Sequence, residues 1–444
     1  MNSKYQNGET LVYDDSGTLS RKIIDGVVYS PDYTVCYGLT AEMEEDSSKI
    51  SKIVIKEGCK KIEISAFTDA HIEEVVLPKS LEDIANYAFL DSTVEKINLE
   101  NVLHFGKEAF AKTLIEEAVI NENATFDCEV TMPSGIFQNC KFLKKLTFGP
   151  KKVPCWLCNG CERLEEVSFP NGIVQILDCA FKNTLALKSF DFPEGLILIN
   201  DGVFEGSAIL KAEFPSSLQY IGTSAFEFAS LEKIFFKPSS GPLVLSSYCF
   251  AHTNITNFTL PENDMPNLGE SICANCEELV SVSIDAPIQT VPRSFVHKCK
   301  KLKYVSLNPK VECLGEYSFS ETGIEKIDEQ FLHIKNFFEG CLQKCQELRY
   351  VNITNGLDIE TNAFSECKNL VLASVDAKYP SNYAFVGCNP ELVILDKEHK
   401  YFKENKGATS YNRKIDPKDM DKILDAVPFK TLSKMQKDNK DITR

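Results

Sequence analysis

Fifteen near-copies of one short segment run through this chain of 444 residues, and that repetition limits its fold more than any other feature. SNYAFVGC at 381–388 recurs as TNAFSEC at 361–367, TSAFEFA at 223–229, LDCAFKN at 177–183, KEAFAKT at 107–113 and ANYAFLD at 85–91. Taking the Phe of the Ala-Phe pair, or the residue in its place, as an anchor gives Phe67, Phe89, Phe110, Phe137, Cys158, Phe181, Phe204, Phe226, Phe250, Cys273, Phe295, Phe319, Leu342, Phe364 and Phe385. The steps between them run from 21 to 27 residues and average about 22.7. A unit this short cannot bury its own apolar side chains, so each copy must stack on its neighbours and share one continuous core. The usual allowance of roughly 150 residues per domain therefore does not apply.

Spacing inside a copy says how the chain turns. In the fifth, Cys158, Cys161, Leu164, Val167 and Phe169 are three, three, three and two apart. Side chains three apart share a face of a helical or 3₁₀ turn, and side chains two apart share a face of a strand. Each copy thus reads as a short turn feeding a short strand. Pro78, Pro170, Pro193, Pro215 and Pro261 then end the strand, because proline cannot donate to a ladder. A second apolar pair, such as Leu81 and Ile84 or Leu218 and Ile221, leads back to the next anchor. One copy is one coil.

The pattern I-x-x-x-A-F-x-x-C-x-x-L-x-x-V-x-L-P resembles the BspA-like leucine-rich repeat family, known from bacterial and protist surface proteins, over roughly residues 50–395. The resemblance implies a repeat solenoid, a right-handed superhelix of short parallel β-strands with helical or 3₁₀ turns, capped at both ends. Residues 1–49 form the N-terminal segment, in which 23–39 reads as two strands around Ser30-Pro31-Asp32, and the resemblance makes this hairpin the first cap. Residues 396–444 form a basic C-terminal cap or tail, where Asp416-Pro417 starts an amphipathic helical stretch over 416–438.

The charge is uneven. Lys and Arg number 48 against 64 Asp and Glu, a net −16. Residues 397–444 hold 13 basic and 8 acidic side chains, leaving 35 against 56, or −21, for residues 1–396. Such an excess repels phosphate backbones, so nucleic acid is not an expected partner. No apolar run approaches the 18 residues of a membrane helix, and none behind a basic start marks a signal peptide. On that ground the chain is expected in the cytoplasm, whereas the resemblance implies the cell surface or secretion.

Seventeen cysteines prompt a search for metal sites and disulfides. Cys155, Cys158 and Cys161 have zinc-like spacing, as do Cys273 and Cys276. Seven cysteines, at 140, 161, 276, 299, 345, 367 and 388, nevertheless occupy one repeat position, where other copies carry Ser92, Thr113, Thr184, Ser207, Ala229, Thr253 or Thr322. A slot that takes Cys, Thr, Ser or Ala is a small packing slot, so no metal or other cofactor is expected. Without a signal peptide the thiols are expected reduced, although neighbouring slot cysteines such as Cys367 and Cys388 would lie within disulfide reach. No H-E-x-x-H, G-x-S-x-G, P-loop or G-x-G-x-x-G occurs, and His297 beside Cys299 reads as an exposed residue of a one-residue insertion after Phe295. The chain is not expected to be an enzyme.

Function then rests on the strand positions that point out of the sheet. Through the first half they are charged and mixed, and from Phe235 onward aromatic residues stand among small polar ones. Phe235, Asn257, Tyr304, Tyr350 and Asn352 are the candidate partner-binding residues, since rigid rings beside Ser and Asn suit recognition surfaces. The expected role is a non-catalytic protein-interaction scaffold, with an adhesin implied by the resemblance, and the alternative is a carbohydrate- or matrix-binding surface antigen.

Overall fold

The computed structural model describes residues 2–45, 50–127, 134–239, 241–263, 266–381, 383–389 and 393–396. The helical stretch expected over 416–438 and Cys128 lie outside them. The chain divides into two compact units, 1–231 and 232–444. Each is a β-solenoid of stacked coils whose strands pair in parallel with those of the next coil, and helix is confined to Ala41–Glu45 and a 3₁₀ turn at Glu329–Phe331 among the described residues.

Every coil contributes to three walls. One carries the longer strands, paired in strict register: Glu117–Ile120 on Lys145–Phe148 on Glu166–Ser168 in the first unit, and Asn257–Leu260 on Ser281–Ile284 on Tyr304–Leu307 in the second. Inward and outward residues alternate along them, so Ala118, Leu146, Phe258, Val282 and Val305 are buried. Four of the five expected stops hold: the strands Ile72–Val76, Glu166–Ser168, Lys211–Phe214 and Asn257–Leu260 each end one or two residues before their proline, whereas among the described residues no strand forms directly ahead of Pro193. A second wall is made of mostly two-residue strands, for example Lys61–Ile62, Asp83–Ile84, His104–Phe105 and Thr125–Phe126.

The third wall is the anchor turn, where amide groups alternate between local and coil-to-coil bonds. Ser65, Phe67 and Asp69 donate to Asn86, Ala88 and Leu90 of the next coil, while Ala66, Thr68 and Ala70 donate back three residues in 3₁₀ fashion. Residues two before and two after each anchor take the left-handed conformation: all positive-φ non-glycine residues except Asn7, Asp25 and Tyr33 fall there, bulky Trp156 and Tyr248 included. Each such residue costs on the order of 1 kcal/mol, and the ladder of coil-to-coil bonds offsets it.

The anchors form the core. Phe67, Phe89 and Phe110 stack with ring centroids 5.0 Å apart, and Phe204 on Phe226 repeats the arrangement at 5.1 Å. One anchor differs from expectation. In the eleventh copy Val296, not Phe295, holds the place: Ser294 and Lys298 are its left-handed flanks, Cys273 donates to the carbonyl one residue before it, and its own amide donates to Ser318. Phe295 is equally buried, which is why the Ala-Phe template selects it. With Val296 as anchor the steps become 23 and 23, and no insertion precedes Cys299.

The N-terminal segment carries more strand than the sequence suggested. Asn2–Gln6, Glu9–Tyr13, Leu19–Ile24, Val27–Tyr29 and Val35–Leu39 form an antiparallel meander, whose last strand pairs in parallel with Lys61–Ile62 of the first coil. The signals were Asn7-Gly8 and Asp25-Gly26, both pairs with positive φ, which is the preference of a two-residue hairpin turn. In the second unit the strand Tyr350–Ile359 lacks a terminating proline and runs across two walls: Tyr350 is opposite Lys326 of the long-strand wall, and Ile359 opposite Phe337 of the short-strand wall.

Candidate binding face

The outward residues of the long strands behave differently in the two units. In the first, Lys52, Glu74, Lys96, Glu117, Lys145 and Glu166 follow one another coil by coil with alternating sign. Lys52 lies 2.9 Å from Glu74 and Lys145 lies 3.8 Å from Glu166. Register places Lys52 and Lys96 opposite Glu74, and Glu117 and Glu166 opposite Lys145, so much of this face offsets its own charge across neighbouring strands.

The second unit presents a mostly neutral face. Asn257, Ser281 and Tyr304 share one register row, and Thr259, Ser283 and Ser306 share the next. Tyr304 is 66% exposed and Phe235 52%. The Ser281 hydroxyl donates to Asn257 Oδ1 at 2.5 Å, and that of Ser283 donates to Asp285 at 2.6 Å, which fixes the polar groups between the two rings. Beyond Tyr304 the row meets Lys326, whose ammonium lies 2.6 Å from Asp328.

Tyr350 does not belong to this face. It is fully buried, and so is Leu372 in the same register row of the next coil. Their inward neighbours Val351 and Ala373 are buried too, so these strands are covered on both sides and alternation no longer sorts core from solvent. The signal was in the sequence: Val371-Leu372-Ala373-Ser374-Val375 is nearly continuously apolar, as two-sided burial requires. The Tyr350 hydroxyl has no hydrogen-bond partner among the described residues, and burial, with the charge of Asp328, pushes its pKa up to about 12. Asn352 is half-buried. The exposed candidates that remain together are Phe235, Asn257 and Tyr304, three coil steps from first to last, or about 14 Å at sheet spacing.

The residues that raised metal or thiol chemistry serve the core. At most copies the slot is more than a packing site, because its occupant donates to an anchor carbonyl; Ala229 has no donor, and the Ser207 hydroxyl has no partner among the described residues. Ser92, Thr113, Thr184, Thr253 and Thr322 donate to the anchor three residues back, at 2.8–2.9 Å. Slot cysteines reach instead to the anchor of the preceding coil, Cys140 to Phe110 at 3.0 Å and Cys161 to Phe137 at 3.0 Å. Burial pushes the Cys140 and Cys161 thiols well up. Among the described residues no group of three or more His, Cys, Asp or Glu is arranged to hold a metal ion. His297 is half-buried rather than exposed: Nδ1 shares a 2.5 Å hydrogen bond with Ser320, and burial lowers its pKa. Cys299 points away to the Cys273 carbonyl, 3.1 Å off, so the two do not pair.

Comparison with known proteins agrees with this architecture. The profile described as BspA type Leucine rich repeat region (6 copies) matches residues 45–155, 151–279 and 266–391. A leucine-rich repeat protein from Bacteroides ovatus is 21% identical, covering 84% of this chain and 94% of that one, with a TM-score of 0.60. A leucine rich cell surface protein from Faecalibacterium prausnitzii is 15% identical over 92% of this chain and 98% of that one, with a TM-score of 0.39. The first of these likenesses bears on the fold alone. No curated protein matches the chain.

Proposed function

The chain belongs to the BspA-type leucine-rich repeat family, and from that premise we propose that it is a non-catalytic scaffold binding a protein partner through the long-strand face of its second unit. The observation that supports this is the contrast between two faces of the same construction. Where the first unit pairs its outward charges with each other, the second leaves Phe235 and Tyr304 exposed beside a row of Asn, Ser and Thr. Such a surface is preformed, so a partner meets it without ordering it, and rings with two side-chain torsions lose little entropy on contact. Among the described residues no helix is long and apolar enough to cross a membrane. Adhesion at the cell surface is the family's implication and forms part of the proposal.

The test compares capture by the wild type, by Phe235→Ser with Tyr304→Ser, and by Lys145→Ala with Glu166→Ala, each verified as folded by circular dichroism. Loss of the same captured protein in the first pair only is expected, because a true anchor contributes about 2 kcal/mol or more. Equal capture by all three would reject this face. Capture of a glycan in place of a protein, read on a glycan array, would reject the protein partner while keeping the face.

A further inference from the structure

We propose that Cys388 and Cys367 form a redox-operated staple that closes the last described coil onto the one before it. Anchor amides put the two coils in register: Phe364 donates to Ala384 and Glu366 to Val386, both at 2.8 Å. The thiols stand at the same slot of consecutive coils and face equivalent acceptors, Cys367 toward the Leu342 carbonyl at 3.3 Å and Cys388 toward that of Phe364 at 3.0 Å. At a coil spacing of about 4.8 Å, equivalent α-carbons fall within the roughly 4.4–6.8 Å that a disulfide spans. The two thiols also perturb each other's ionisation.

Other slot cysteines repeat this geometry, as Cys140 does with Cys161 and Cys276 with Cys299, but access separates them. Six of the seven are buried, and Cys388 alone is partly exposed. The neighbouring Cys367 thiol lowers its pKa, whereas burial raises that of Cys367. Cys388 is therefore the attacking thiol and Cys367 the resolving one. With glutathione disulfide as oxidant, the Cys388 thiolate attacks one sulfur and expels one glutathione thiolate, leaving a mixed disulfide. Cys367 then gives up its proton and attacks the Cys388 sulfur, expelling the second glutathione. Two protein thiols are oxidised and one glutathione disulfide is reduced to two thiols.

The test equilibrates the full chain across a series of glutathione redox buffers, alkylates the free thiols and maps tryptic peptides without reduction. Cleavage after Arg349, Lys368, Lys378 and Lys397 puts Cys367 and Cys388 on separate peptides, 350–368 and 379–397. The expected result is that these two become linked before any other pair, with slower amide exchange over 383–389. Cys388→Ala, a residue the slot already accepts at Ala229, should abolish the link, and Cys367→Ala should arrest Cys388 as the glutathione adduct. No linked peptide in the wild type across the series, or earlier linkage of another pair, would overturn the proposal.

Discussion

Thr322 and Cys345 converge on a single acceptor, the carbonyl of Phe319: the hydroxyl donates from 2.8 Å, the thiol from 3.2 Å, and the two side chains lie 3.4 Å apart. Thr113 with Cys140 on Phe110, and Thr253 with Cys276 on Phe250, repeat the arrangement. In these three copies the slot therefore holds a small side chain with a donor, whereas Ala229 fills it without one and the Ser207 hydroxyl finds no partner among the described residues. Thr322→Val keeps the shape and removes the donor, so it should cost about 1 kcal/mol in denaturant unfolding, while Thr322→Ser costs less. A valine variant as stable as the wild type would reduce the slot to packing alone.

The anchor ladder predicts a larger loss. Phe226 packs on Phe204, Phe214 and Phe192, with ring centroids 5.1, 5.6 and 6.1 Å away. Phe226→Ala should cost about 3–5 kcal/mol through the cavity it leaves. Because each coil leans on its neighbours, loss should also broaden the transition rather than only displace its midpoint. Urea titration followed by circular dichroism reads both effects, and a loss below about 1 kcal/mol would contradict the anchor role.

Tyr350 should respond in the opposite sense to its exposure in sequence. Its ring is core and its hydroxyl has no partner, so Tyr350→Phe should be neutral or slightly stabilising. Tyr350→Ala should cost about 3–5 kcal/mol. A destabilising phenylalanine variant would mean that the hydroxyl is bonded.

Asp83 supplies the pH dependence. Burial raises its pKa above the ordinary 3.8, despite the opposing charges of His104 and Lys61, and one of its carboxylate oxygens is buried without a partner. Between the unfolded and folded pKa values the native state binds more protons than the unfolded one. Acidification through that window, which lies above 3.8, therefore stabilises the wild type relative to Asp83→Asn. At neutral pH the asparagine variant should melt higher, and its advantage should shrink as pH falls through the window. Parallel melting curves at all pH values would contradict the assignment.

The fold was legible because its period was carried by large rings that only stacking can bury. Coil length, strand stops at proline and the shared slot followed directly from residues such as Phe226, Pro215 and Thr253. The Val296 anchor was masked by Phe295, since both are buried and only counting three back from Cys299 separates them. The left-handed backbone at Trp156, Tyr248 and Lys298 had no signal in residue preference, because the coil-to-coil ladder imposes it whatever the side chain. The candidate face was half legible: parity placed Phe235, Asn257 and Tyr304 outward, but parity alone could not tell that Tyr350 and Leu372 are covered.

The charge row of the first unit also restricts how this array can change length. Every coil hands the next the same set of backbone donors and acceptors, so excising a whole coil in frame leaves no amide stranded. The row from Lys52 to Glu166 does not share that indifference. Removing one interior coil sets lysine against lysine or glutamate against glutamate, whereas removing two restores the alternation. Here the backbone counts coils singly and the surface counts them in pairs, so unequal recombination within this stretch is tolerated best in steps of two.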